Sequence, residues 1–262
     1  MKRYFLSLFL PLLLCSCLEA SVRLHSLIVG DTQSSDIREG TWRDCQSIQQ
    51  SLKDIAHHLQ IPHDETTLLE KKYTTDNIRK WISRIREDDI VFFYYSGHGF
   101  RPKKKSDPWP VLSCRRMVRK KSDFIFAKEI CSAIKKKHPR LSLIFFDCCN
   151  DALKIKSPFN TSTYIPFTPP FPGLQTLFLN TKGMVTACAA SPGQPALTCV
   201  AGGTIGSLFS ISFLKALREE IGDSETQWEY VLERTIPKTF QDSNGRQRPF
   251  YKIRVTPIIL DQ

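Results

Sequence analysis

The chain predicts an α/β fold, a mostly parallel central sheet with helices on both faces. Three observations carry that prediction. Apolar runs of strand length alternate with stretches whose apolar residues recur at helical spacing, the pattern of strand–helix–strand units. Two of the runs, residues 91–95 and 141–146, are apolar at nearly every position, as central parallel strands buried on both faces are. Both then break abruptly into polar residues, Ser96-Gly97-His98-Gly99 and Asp147-Cys148-Cys149-Asn150, at the carboxyl ends where chemistry gathers in such sheets.

The elements follow in order. The first strand is expected over 22–30, stopped by Gly30-Asp31. Ile48, Leu52, Ile55 and Leu59 predict an amphipathic helix over 42–59, ended by Pro62. A short strand is expected over 67–70. Thr75 is the expected cap of a second helix, whose Ile78, Trp81, Ile82 and Ile85 form one apolar stripe. The third strand covers 89–95. Residues 100–121 are basic and rich in turn residues, with a small hairpin at Trp109-Pro110-Val111-Leu112. Asp123 is the expected cap of a helix through Ala127, Ile130 and Ile134, and its terminal lysines suit the helix dipole. The fourth strand covers 141–146.

Between Asn150 and Asn180 the prolines 158, 166, 169, 170 and 172 argue against helix or central strand. So long an irregular stretch points to function or disorder. A strand returns at 183–190 and a helix at 208–217. Ser224 and Gln227 read as a capping box for a helix carrying Trp228, Val231 and Leu232. A strand at 250–255 closes the chain.

At 262 residues, 41% hydrophobic and 24% charged, the composition is that of a globular protein able to bury one sizeable core. Residues 1–20 stand apart. Lys2 and Arg3 precede an apolar stretch over 4–14, too short to span a membrane and shaped like a secretory signal. Leu14-Cys15-Ser16-Cys17 resembles the bacterial lipobox, which implies a lipidated Cys17 and membrane attachment; the alternative is cleavage after Ala20. The protein is therefore expected to be exported, to the periplasm, a membrane anchor or the medium, with residues 21–262 as its one folded domain.

Without that leader the balance is 35 basic to 25 acidic residues. The excess clusters at 101–105, 115–121 and 135–137 and reads as solvated loops and one polar helix face. No nucleic-acid motif accompanies it, so no nucleic-acid partner is predicted. Seven cysteines remain beyond the leader (45, 114, 131, 148, 149, 188 and 199), an odd number lying mostly in apolar runs, which is compatible with one free reactive thiol. No cysteine or histidine pairs stand at zinc-ligand spacing, and neither a metal nor a cofactor is expected.

The reactive residues form a constellation. A cysteine nucleophile needs a base or a positive neighbour, and a histidine on the adjacent strand end can take the thiol proton and later protonate a leaving amine. Cys149 follows His98 by 51 residues, close to the interval of about 50 quoted for one class of cysteine peptidase. Side chains alternate along a strand, so Asp147 and Cys149 share one side and Cys148 takes the other; Ser96 and His98 likewise share a side. That selects His98 and Cys149 as the catalytic residues, with Ser96 and Asp147 in the same cleft. The backbone N–H groups of Gly99 and Cys149 are the expected oxyanion donors.

Tyr94-Tyr95-Ser96-Gly97-His98-Gly99 resembles the histidine motif of caspase-like peptidases, and Asp147-Cys148-Cys149 resembles the Asp-Ser-Cys triplet of metacaspases. The resemblance, to a bacterial secreted member, spans 22 to about 255 in element order. It implies the caspase-hemoglobinase fold, a three-layer sandwich, and cysteine endopeptidase activity on polypeptide substrates. Asp147 stands where metacaspases carry an acidic pocket for arginine or lysine, and Asp44 is similar in position to a second pocket aspartate. Cys188-Ala189-Ala190-Ser191-Pro192-Gly193-Gln194 resembles the family's fifth-strand region. Cys148 and Asn150-Asp151 depart from the usual neighbours of the nucleophile, and the acidic run after the fifth strand lacks its acids, which argues against calcium dependence. Self-processing is expected between Asn150 and Asn180, near Lys154 and Lys156. The alternative is a non-catalytic surface module that binds partners through its basic loops.

Overall fold

The computed structural model describes residues 22–103, 106–114, 124–151, 170–201 and 204–258. The leader with Cys17, the basic run 115–121, Asp123, and Lys154 and Lys156 lie outside the described residues. Six strands form one sheet in the order β11-β8-β7-β3-β1-β2. They are β1 (Leu24–Gly30), β2 (His63–Leu68), β3 (Ile90–Ser96), β7 (Leu141–Asp147), β8 (Thr181–Cys188) and β11 (Phe250–Pro257). All neighbours pair in parallel except β11, which closes the edge antiparallel to β8. β4 (Gly99–Phe100), β5 (Val111–Ser113) and β6 (Phe124–Phe126) make a separate three-stranded sheet, and β9 (Thr198–Ala201) pairs with β10 (Thr204–Ser207) as a hairpin.

Helices cover both faces. On one, α1 (Arg38–Leu59), α5 (Leu208–Glu220) and α6 (Trp228–Asp242) pack Ile48, Leu52, Phe213 and Trp228 against Phe92, Leu143 and Phe145. On the other, α2 (Thr75–Ser83) and α3 (Ala127–Lys135) pack Ile78, Trp81 and Ile130 against Phe93, Ile144 and Phe146. Successive residues of β3 and β7 thus feed opposite cores, which is why both runs carry no polar face.

Several boundaries correct the expectation. α1 begins at Arg38 rather than 42, and β2 starts at His63 rather than 67. Thr74, not Thr75, caps α2, its hydroxyl accepting from the Asn77 amide at 3.2 Å. Phe126 occupies the cap position of α3 without a side-chain bond. Gln227 is itself the cap residue of α6, so no capping box forms with Ser224; the Ser224 carbonyl instead accepts from Thr176. Within the proline-rich stretch, Pro172 opens a helical turn, α4 (Pro172–Leu174), which runs into a π-helical turn, Gln175–Leu179. Proline is tolerated there because a first-turn N–H has no helical partner to lose.

At the other end of the sheet from the reactive residues, His25 is fully buried, stacked on Trp81 with ring centroids 4.6 Å apart. Its Nδ1 lies 2.9 Å from Asp64, and among the described residues its Nε2 has no hydrogen-bond partner. Burial pushes its pKa below the usual 6.5, and the same holds for the half-buried His63. An imidazole that titrates lower folded than unfolded contributes stability that is whole above about pH 6.5 and is lost as pH falls below it. His25→Phe keeps the stack and removes the titration. Its urea midpoint should therefore fall less between pH 7.5 and 5.5 than the parent's; equal falls would show that His25 does not set the acid sensitivity.

Candidate active site

β3 and β7 end in step. Ser96 is the register partner of Asp147, and the Gly97 amide donates to the Asp147 carbonyl at 3.1 Å. His98 and Cys149 each lie two residues beyond that row. Asp147 sits on the α1/α5 side of the sheet, whereas Cys148 packs into the α2/α3 core and hydrogen-bonds Cys188. Alternation thus places both as expected from period two.

The acidic residues meet. Asp44 on α1 and Asp147 at the end of β7 are 4% and 3% exposed, and Ser207 ties them together. Its amide donates to Asp44 Oδ1 at 2.9 Å, and its hydroxyl donates to Asp147 Oδ1 at 2.7 Å. Ser96 Oγ donates to Asp44 Oδ2 at 3.4 Å, Ser210 Oγ to Asp147 Oδ2 at 2.5 Å, and Tyr94 OH lies 2.6 Å from Ser210 Oγ. Among the described residues no basic side chain pairs with either carboxylate. Burial, with Asp147's charge second, raises the Asp44 pKa well above 3.8; burial also raises Asp147, to about 6, against the pull of its hydroxyl donors. A β-carbon at Gly206 would stand 2.9 Å from Asp44 Oδ1, so the absence of a side chain there keeps the carboxylate uncrowded.

The Cys149 thiol is half-buried and takes its hydrogen bonds from one backbone unit. The Ala196 amide donates to Sγ at 3.4 Å, and Sγ donates weakly to the Ala196 carbonyl at 3.7 Å. Burial raises its pKa, the Ala196 amide opposes that, and the charge of Asp147 raises it further. His98 bonds elsewhere: its Nε2 lies 3.3 Å from Asp36 Oδ1. No hydrogen bond joins His98 to Cys149 among the described residues. Gly99 packs against the Cys148–Cys149 segment so closely that a β-carbon would meet Cys148 Sγ at 2.5 Å and the Cys149 carbonyl at 2.6 Å. Because the Ser113 amide bonds the His98 carbonyl, antiparallel alternation turns the next amide, that of Gly99, away from β5. Among the described residues no group of three or more His, Cys, Asp or Glu side chains could hold a metal ion.

The structure therefore gathers Asp44, Asp147 and Ser96 around one buried acidic spot and puts His98, Gly99 and Cys149 on the adjoining strand ends. Sequence reasoning missed four participants. Tyr94 was findable, since it shares a side with Ser96 and His98. Ser207, Ser210 and Asp36 lie in loops or at a helix start with no periodic signal to single them out.

A family model described as the caspase domain matches residues 23–256. Among solved structures, the crystal structure of caspase-1 from Spodoptera frugiperda superposes with a TM-score of 0.52 at 15% identity, over 89% of this chain and 88% of that one. At that identity the likeness is one of fold. No curated protein matches the chain significantly.

Two buried carboxylates that no cation among the described residues pairs with oppose each other once both ionise. Asp44→Asn keeps an acceptor for the Ser207 amide and removes one charge. It should raise the unfolding free energy at pH 8 by about 1–2 kcal/mol. The gain should shrink toward pH 5, where the parent's carboxyls take up protons. A loss of stability at pH 8 would contradict this account.

Proposed function

The chain belongs to the caspase-domain family, and from that membership and the site's geometry we propose that it is a cysteine endopeptidase cleaving polypeptides after arginine or lysine. One observation carries the specificity. Asp44 and Asp147 form a buried acidic spot that no cation among the described residues pairs with, and Asp147 lies two residues along the chain from Cys149. A guanidinium or ammonium side chain before the scissile bond offsets the burial cost of both carboxylates, and an aspartate there would add a third negative charge.

In this reading the substrate displaces Ala196 from the thiol. His98 takes the Cys149 proton, and the thiolate attacks the carbonyl carbon. The negative oxygen is met by the N–H groups of Gly99 and Cys149. His98 then gives its proton to the leaving amine, and a water deprotonated by His98 hydrolyses the thioester. The separation of the thiol from His98 at rest fits a catalytic hydrogen bond that tightens only in the complex. Pocket and nucleophile are also coupled: burial is the chief cause of the raised thiol pKa, the charge of Asp147 adds to it, and a bound cation offsets that added part. Export through the 1–20 leader belongs to the same proposal, and the intact mass of the mature protein separates a lipidated Cys17 from cleavage after Ala20.

Fluorogenic peptides with arginine, citrulline or aspartate before the reporter test the reading. The parent should cleave the arginyl peptide, whereas His98→Ala and Cys149→Ala should lose about 10³-fold or more in kcat/KM. Cleavage by Cys149→Ala at the parent's rate, or a preference for aspartate, would overturn it. A parent that is folded yet neither cleaves nor reacts with an arginyl thiol-reactive probe would instead support a non-catalytic binding module.

pH supplies a second test. Asp147 titrates near 6, so below that pH it becomes neutral and loses its hold on a cation. KM for the arginyl peptide should rise as pH drops through 6, while KM for the citrulline peptide should not. Parallel profiles would remove the acid pair from recognition.

A further inference from the structure

We infer that Asp36 is a positioning residue for His98: its carboxylate fixes the imidazole tautomer so that Nδ1 is left as the base for Cys149. This rests on the peptidase reading above and adds a third member to its dyad. A carboxylate only accepts hydrogen bonds, so the 3.3 Å contact between Asp36 Oδ1 and His98 Nε2 puts the ring hydrogen on Nε2. Nδ1 then carries the lone pair. When His98 takes the thiol proton, the same carboxylate stabilises the imidazolium, as the acid of a catalytic triad does.

The segment carrying Asp36 is built to hold it. Asp31 opens the β1–α1 connection fully buried and accepts from the Ser34 hydroxyl at 2.7 Å, the Ser34 amide at 3.1 Å and the Tyr73 hydroxyl at 3.0 Å. The Ser34 carbonyl accepts from the amides of Ile37 and Arg38, which closes the turn around Asp36. The connection is also braced to the strand that bears His98: the Asp31 amide donates to the Ser96 carbonyl at 2.9 Å, and a β-carbon at Gly97 would stand 2.9 Å from Asp31 Cβ. Tyr95 holds the other side, its hydroxyl donating to the His98 carbonyl at 2.7 Å. Both partners of the contact are therefore anchored through their backbones.

Other charged or titratable groups flank this row. Arg38 donates to the Thr32 carbonyl, Asp31 is committed as described, and Cys149 is held by Ala196. Asp151 follows Cys149, and its carbonyl accepts from the Arg101 amide. Asp36 is the carboxylate that reaches the imidazole, with its side chain 41% exposed. That exposure screens the contact, so its effect is far below that of a buried triad acid.

Four proteins test this: the parent, Asp36→Asn, Asp36→Ala and Asp36→Glu, each checked for an unchanged melting temperature. The neutral variants should lose about tenfold in kcat with KM within twofold, Asp36→Glu should recover part of it, and the acid limb of kcat/KM should move to lower pH. Equal kcat and superimposable pH limbs across the set would overturn the inference. Alkylation of Cys149 by iodoacetamide, read by peptide mass at that residue, needs no turnover. It should be slower at pH 7 in Asp36→Asn than in the parent, with His98→Ala as the lower reference. If the parent cleaves no peptide, the peptidase reading fails, and the alkylation rates alone decide: a slower Asp36→Asn upholds the positioning role, and an equal rate ends it.

Discussion

The pairing of β3 with β7 is the constraint on which the rest depends. Seven residues of each strand align in parallel from Ile90↔Leu141 to Ser96↔Asp147. A slip of β7 by one residue would exchange its two faces, sending Phe145 from the α1/α5 core into the α2/α3 core. It would also move Asp147 away from Asp44 and bring Cys148 to where Cys149 stands. Packing and chemistry are thus set by one register. The hydrophobic requirement to fill two cores with large aromatic side chains is what specifies the site.

Against that framework the acidic pair works uphill. Burial raises the Asp147 pKa from the usual 3.8 to about 6, so its ionisation above that pH works against folding. The buried histidine at the far end of the sheet has the opposite pH dependence, losing stability as pH falls. The serine and tyrosine hydroxyls around Asp147 limit the cost without neutralising the charge. Elsewhere Arg23 is supplied to Asp89 and Asp64, whereas among the described residues no such cation pairs with Asp44 or Asp147.

Central strands and amphipathic helices were legible because periodicity records burial directly: Ile78, Trp81 and Ile82 are buried as their spacing requires. Caps and short edges were less so. Thr74 and Thr75 are chemically alike, and the choice between them depends on the approach of the preceding chain. β2 is only partly buried along most of its length and has no apolar pattern to mark it. In the site, alternation accounts for Asp147 and Cys148 facing opposite sides of the sheet. Ser207 and Asp36 were invisible because their roles arise from tertiary approach: Ser207 lies 163 residues from the Asp44 carboxylate that it meets. The partner of the thiol was hidden for a further reason, since a backbone contact such as that of Ala196 leaves no mark in residue identity.

The direction of β1 has a consequence for how the molecule presents itself. Its first residue aligns with the foot of β3, and its last, Gly30, aligns with Ser96 beside the reactive row. Six strand steps of about 3.3 Å separate those levels, roughly 20 Å. The described chain therefore enters at the foot of the sheet, and Ser96 and Asp147 stand at the far end. Strand polarity alone sets that separation between the start of the described chain and the strand ends that carry His98 and Cys149.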